Sequence, residues 1–239
     1  MTAWRSFGVS VIGPGHITAG KPNQDAWAAY HHVWGDGIAV SDGLGSKSFS
    51  DFGSRAACLA VARAVHACRG KVELDHALLS EGIKSEWLSL IAPLDPRDCA
   101  ATCLFAFCMD DKVVRMGRLG DGLGAIVKTD GSIELLSDDK SDGFSNITAA
   151  LSPNVKENDW HWLSRPEDEC QSIVLCTDGV SDDLSDVNGF VRQFSDAHRV
   201  FSSVSAARRA REALEKWPTP KHSDDKTIAC LFREEVVDE

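Results

Sequence analysis

The chain has 239 residues and a formal net charge of −11. That length suits one α/β or α+β domain, and the acidic balance argues against a nucleic-acid binder, which needs a Lys/Arg surplus to displace counterions from phosphates. No window approaches the roughly 20 consecutive apolar residues that span a bilayer, and the start MTAWRSFGVSV lacks the basic stretch and apolar core of a secretion signal. A single domain over residues 1–239, soluble and cytoplasmic, is therefore expected. The eight cysteines lie mainly inside apolar runs without a Cys-x-x-Cys pair. They read as reduced core residues rather than a disulfide framework or a zinc site.

Ser6 to Ile12 suits a strand, and the extended runs Ala26 to Trp34 and Ile38 to Ser41 meet across Gly35-Asp36-Gly37 as a hairpin. After Ser50 and Asp51, either of which can cap a helix, Ala57, Ala60, Val61, Ala64, Val65 and Cys68 recur at helical spacing until Gly70. A second helix is expected over Glu73 to Leu90, with Leu79, Ile83, Trp87 and Leu90 on one stripe and Pro93 beyond its end. Cys99 to Met109, Lys112 to Leu119, Leu123 to Lys128 and Ser132 to Leu136 read as the strands of an antiparallel meander, the last pair joined at Thr129-Asp130-Gly131. Asp138 to Asp159, rich in Asp, Ser and Asn, reads as a long surface segment. A buried strand, Ser172 to Thr177, precedes helices around Val187 to Phe201 and Ser205 to Trp217, and a strand over Lys226 to Phe232 closes the chain. Strands and helices grouped in this order predict an α+β fold, a four-layer α-β-β-α sandwich of two mostly antiparallel sheets flanked by helices.

Asp-Gly occurs six times, and Asp-Gly ordinarily makes turns. Asp36 and Asp130 sit between extended runs as hairpin turns do, and Asp142 lies in the polar segment, so these read as structural. Asp42 and Asp178 differ, because each emerges where an apolar strand ends. Asp121 follows the run ending Leu119-Gly120, and Asp224-Asp225 precede the last strand. Carboxylates gathered from such places repel one another and resist desolvation, so a cluster of them is stable chiefly when cations neutralise it. Oxygen-only ligands favour Mg²⁺ or Mn²⁺ over Zn²⁺. A calcium-binding loop of EF-hand type is not visible, nor is the spacing of a zinc hydrolase, and His31-His32 and Trp160-His161-Trp162 read as strand-edge or packing residues.

Asn23-Gln24-Asp25, Ser41-Asp42-Gly43-Leu44-Gly45, Leu119-Gly120-Asp121-Gly122, Cys176 to Asp182 and Asp224-Asp225-Lys226-Thr227 together resemble, in order, the metal-dependent serine/threonine phosphatases of type 2C. The resemblance runs from Gly13 to Leu231, and the Gln-Asp pair is similar to a bacterial branch, some members of which are associated with stress-response proteins. It implies hydrolysis of phosphoserine and phosphothreonine by water activated between two divalent cations. Asp42 would bridge both ions, the Gly43 carbonyl would bind one, and Asp178 with Asp224 the other. Asp121 would join Asp178 at a weaker third site, and Asp25 would support the cluster. Implied partners are a phosphorylated protein substrate and a cognate Ser/Thr kinase system.

The chain departs from that pattern on the phosphate side. Gln24 replaces a water-orienting Glu, Gly20 stands where the family has a phosphate-binding Arg, and Leu44 replaces a His of many members. Lys21 is the nearest cation to the missing Arg, and His16, in the glycine-rich turn Gly13-Pro14-Gly15-His16, can protonate a leaving oxygen, contact phosphate, or simply bond a carbonyl. These departures set up a competing reading, a catalytically weak scaffold or phosphopeptide-binding module on the same fold. Residues 138–159 are the expected substrate-selecting flap.

Overall fold

The computed structural model describes residues 4–70, 74–136, 149–218 and 222–234. Within them lie β1 (Trp4–Val11), α1 (Pro14–Ala19), β2 (Asp25–His32), β3 (Gly35–Asp42), α2 (Ser50–Ala67), α3 (His76–Ile91), β4 (Cys103–Met109), β5 (Val113–Leu119), β6 (Leu123–Lys128), β7 (Ile133–Leu136), β8 (Trp160–Pro166), β9 (Cys170–Cys176), α4 (Asp178–Ser181), α5 (Val187–Arg199), α6 (Ser203–Glu215) and β10 (Lys226–Arg233). One sheet has the order β1-β10-β9-β6-β7 and the other β2-β3-β4-β5-β8, with every neighbouring pair antiparallel.

Strand periodicity distributes the apolar side chains among three cores. Ile38, Val40, Leu104 and Met116 from one sheet meet Ile126, Ile173, Leu175 and Leu231 from the other in the central layer. The alternate residues Ala39, Phe105 and Phe107 face outward onto α2 and α3, through Ala57, Val61, Leu79, Ile83 and Trp87. On the opposite side Val174, Cys176, Ile228 and Cys230 pack against Val191, Phe194, Ala206 and Leu214 of α5 and α6. Burial on both faces explains why the central strands read as nearly continuous apolar runs. The expected α-β-β-α sandwich is thus the observed one. All eight cysteines are buried free thiols, and no described helix is long and apolar enough to cross a membrane.

Several local expectations are corrected. The first hairpin turns at Val33-Trp34, with His32 paired to Gly35, so Asp36 lies inside β3 rather than in the turn. Trp34 decides this register: it is buried, stacks on His32 at 4.8 Å and meets His66 edge-on at 5.4 Å. Asp36 instead bonds His31 Nδ1 at 2.6 Å, and His31 Nε2 reaches Ser6 Oγ at 2.7 Å, linking the edge strands of the two sheets. Asp130 does occupy the expected turn, where its carboxylate accepts from Ser132 N. Ser50 and Asp51 cap nothing; Phe49 is the residue preceding α2, and both polar residues are buried in its first turn. Asp75 caps α3 by accepting from Ala77 N, while residue 73 lies outside the described residues.

The four strands from β4 to β7 are not one meander. β4 and β5 belong to one sheet, β6 and β7 to the other. The chain changes layer at Gly120-Asp121-Gly122, where both glycines hold φ values, +94° and +100°, that disfavour a side chain. Of the segment 138–159, residues 138–148, Asp142 included, lie outside the described residues. Immediately beyond that segment an unexpected edge strand, β8, pairs with β5 and brings Trp160 and Trp162 onto the core beside Phe105. His31 and Trp160-His161-Trp162 therefore do lie on edge strands. The two shortest helices, α1 and α4, carry too few residues to show a periodicity.

Trp87 is fully buried and its indole N–H donates to Gly53 O at 3.0 Å, fastening α3 to α2. Trp87→Ala should lower the unfolding free energy by about 3–5 kcal/mol, measured by denaturant titration.

Candidate metal centre

The carboxylates converge because strand ends do. The β2–β3 register sets Asp25 directly opposite Asp42. Asp178 opens α4 right after β9, whose Cys176 pairs with both Ile228 of β10 and Leu123 of β6, so Asp121, Asp178 and Asp224 all lie at that end of the second sheet. Oxygens of Asp42, Asp121 and Asp178, from three separate chain segments, come within 4.8 Å of one another. Asp224 flanks Asp178 across an open cleft of about 260 Å³ that Asp182, Asp183 and His222 also line. Asp121, expected at a weaker third site, stands with Asp42 and Asp178 in one such group, while Asp224 groups with His16 and Asp225 in another.

Thr177 stitches the sheets together beneath the cluster. Its hydroxyl donates to Asp25 Oδ2 at 2.8 Å and accepts from Thr227 N at 3.1 Å. Asp42 is fixed by its backbone, whose N–H donates to Thr102 Oγ1 and whose carbonyl accepts from Thr102 N. Gly43 N donates to Gln24 O, and a Cβ on Gly43 would lie 2.5 Å from Ser50 O, so the backbone at this position leaves no room for a side chain.

Sequence reasoning gave Asp225 no role apart from its neighbour Asp224, yet it ties three segments together. It is 2% exposed, and its carboxylate accepts from Gly13 N at 2.7 Å and Gln24 N at 2.6 Å while contacting His16 Nδ1 at 2.8 Å. One buried side chain thereby ties the loop before β10 to the segment bearing Gln24 and Asp25. The only available signal was its adjacency to Asp224. His222 was also missed: its ring bridges Asp183 Oδ2 at 2.7 Å and the Asp224 carbonyl at 2.9 Å, bracing the far side of the cleft.

The predicted phosphate-side residues are placed as follows. Gln24 is buried, its Nε2 donates to Ser50 Oγ at 2.6 Å, and its Oε1 lacks a protein donor. Gly20 ends α1 at φ +65°, a left-handed cap that glycine adopts readily and arginine does not. That turn aims Lys21, whose Nζ donates to Gly45 O, onto the loop beyond Gly43. His16 sits on α1 rather than in a turn, with Nδ1 committed to Asp225.

Burial raises the Asp42 carboxyl well above the usual range, and the charges of Asp25, Asp178 and Asp224 raise it further. Burial also pushes Asp178 up to about 7, helped by Asp121 and Asp224, and Asp25 up to about 7, where the Thr177 hydrogen bond opposes the shift. Such repulsion among buried acids is relieved by hard cations, so this all-oxygen donor set fits Mg²⁺ or Mn²⁺.

A family model described as protein phosphatase 2C matches residues 12–217. The chain belongs to the protein phosphatase 2C family. Its class is therefore that of the metal-dependent protein phosphatases, and the match contains Asp42, Asp121 and Asp178 but ends before Asp224. No curated protein matches the phosphatase. Among solved structures, its fold is similar to the catalytic domain of the serine/threonine phosphatase PstP in complex with two manganese ions, at 16% identity and TM-score 0.62, covering 98% of this chain and 100% of that one. It is likewise similar to the photosystem II phosphatase PBCP, at 15% identity and TM-score 0.67 over 97% and 99% of the two chains. RsbX in complex with magnesium aligns at 13% identity and TM-score 0.61 over 98% and 100%.

Removing the Asp225 carboxylate frees three donors at once. Asp225→Ala should cost about 3 kcal/mol of stability and speed hydrogen exchange at the Gly13 and Gln24 amides, while an exposed control such as Asp95→Ala leaves both amides protected.

Proposed function

We propose that this phosphatase hydrolyses phosphoserine and phosphothreonine in protein substrates with divalent cations held by Asp42, Asp121, Asp178 and Asp224 and, by family resemblance, the Gly43 carbonyl. The observation carrying this reading is the meeting of Asp42, Asp121 and Asp178 within 4.8 Å, from segments far apart in the chain. Mg²⁺ or Mn²⁺ bound there supplies Lewis-acid activation of water and neutralises charge on the phosphoryl oxygens.

The chain's own groups do the rest. Thr177 and Thr102 hold Asp25 and Asp42 in place, so the carboxylates need not reorganise when substrate arrives. Gln24 Oε1, a buried acceptor without a protein donor, orients water. Lys21, exposed and tethered to Gly45 O, meets the substrate phosphate as a point charge in place of the family's Arg. His16 acts as a positioning residue, through Asp225. Hydrolysis breaks the phosphorus–oxygen ester bond and returns the side chain as a free hydroxyl with release of inorganic phosphate. A cognate Ser/Thr kinase would supply the substrate, in a cytoplasmic signalling setting, and the segment 138–159 would form part of the substrate-selecting surface of a single domain.

Wild-type protein should hydrolyse p-nitrophenyl phosphate in Mn²⁺ or Mg²⁺ and stop on chelation. Asp178→Asn should lower kcat/KM by about 100-fold or more without altering the circular dichroism spectrum. The scaffold reading, which Gly20 and Gln24 favour, instead requires phosphopeptide binding with no turnover by the wild type. Because ions bind only the folded state, saturating Mn²⁺ should also raise Tm, by the equivalent of about 2.7 kcal/mol at 100 times Kd, and Asp178→Asn should blunt that rise.

A further inference from the structure

Next in sequence to Ser50, which contacts Gly43 and Gln24, opens an apolar groove that hydrolysis itself does not require. Phe49 and Phe52, at the start of α2, are 39% and 53% exposed and meet edge-on at 6.3 Å. With Leu90, Pro93 and Leu94, at and beyond the end of α3, they line a depression of about 300 Å³. That volume suits one bulky aliphatic or aromatic side chain. Aromatic residues ordinarily turn into the core from an amphipathic helix, and α2 does bury Ala57, Ala60, Val61 and Ala64 on its other face. Leaving two phenylalanines half in water forgoes apolar burial that a docked side chain would recover.

The groove is continuous with the metal centre through the chain itself. Phe49 precedes Ser50, whose Oγ accepts from Gln24 Nε2 at 2.6 Å and whose carbonyl backs Gly43. The intervening loop carries Lys47, and Lys21 Nζ donates to its Gly45 carbonyl, so two cations belong to the short stretch that joins the centre to the groove. An anionic phosphoryl group at the centre and an apolar side chain a few residues away would therefore meet cations and an apolar wall along one short stretch of chain. The net charge of −11 works against a second copy of the chain as occupant.

We infer that the groove between the start of α2 and the end of α3 takes a bulky apolar residue flanking the phosphorylated serine or threonine of the protein substrate. The inference rests on the phosphatase reading of the adjacent centre and adds a specificity determinant to it. Burying one such side chain should make about a tenfold difference in KM.

The test uses Mn²⁺-loaded full-length protein, a phosphoserine peptide with an all-Ala surround, and variants with a single Leu at successive positions on either side. Leu at one position should lower KM about tenfold for the wild type, and Phe52→Ala should erase that preference while leaving p-nitrophenyl phosphate turnover unchanged. Phe52→Leu should largely restore it, which separates docking from a folding defect. No positional preference in the wild type, or one that survives Phe52→Ala, overturns the inference while the phosphatase reading stands. Absence of p-nitrophenyl phosphate turnover in the wild type sinks both. A Phe52→Ala protein that sediments as a smaller species than the wild type would assign the groove to self-association and equally overturn it.

Discussion

Mutual repulsion among buried carboxylates is the constraint around which this molecule is arranged. Asp25, Asp42 and Asp178 are each raised by burial and by a neighbouring acid, so their cluster opposes folding unless the scaffold holds it and cations neutralise it. The scaffold's answer is a set of neutral donors and one buried acid with three hydrogen-bond partners. Thr177, Thr102 and Asp225 each join segments of distant sequence, and none points its own charge into the tight trio of Asp42, Asp121 and Asp178. A site that raises the energy of the empty fold is one that binds cations strongly, because the same repulsion is released on binding.

The sandwich suits this task because its two sheets end together. Asp42 leaves one sheet and Asp178 the other, and Thr177 bonds across both, so neither can shift without disturbing a strand pairing. Asp121 reaches the same place by another route, at the crossover where flanking glycines let the backbone turn between layers. Positioning through sheet register is stiffer than positioning on a long loop, as preorganised electrostatics requires.

The phosphate side is built differently. The glycine that replaces the family's arginine terminates a short helix, and that termination places Lys21 over the loop following Gly43. A left-handed cap and an arginine compete for one position, and this chain has the cap. Gln24 likewise trades a charge for an amide that spans Ser50 and a free acceptor direction. The loop that receives these groups also begins the apolar groove at Phe49, so the two features proposed for substrate recognition share a single short stretch of backbone.

Much was legible in the residues themselves. Among the described residues, apolar runs placed nine of the ten strands and the four long helices, because a period of two or of 3.6 survives in any buried element of sufficient length. The order of the Asp-bearing segments identified the family, and the positions of Asp42 and Asp178 at strand ends set them apart from the hairpin turns. Tertiary structure alone decided the remainder. β8 contributes only an alternating Trp-His-Trp, and its strand character comes from pairing with β5. Trp34 moved the first hairpin turn off the Gly-Asp-Gly signal because burying an indole outweighs a local turn preference. Asp225 became the anchor of the site through contacts with Gly13, His16 and Gln24, some two hundred residues away. Periodicity and local turn chemistry are properties of neighbours in sequence. Which carboxylates share an ion, and which acid holds the others in place, depends on strand register and sheet packing, which only the folded chain specifies.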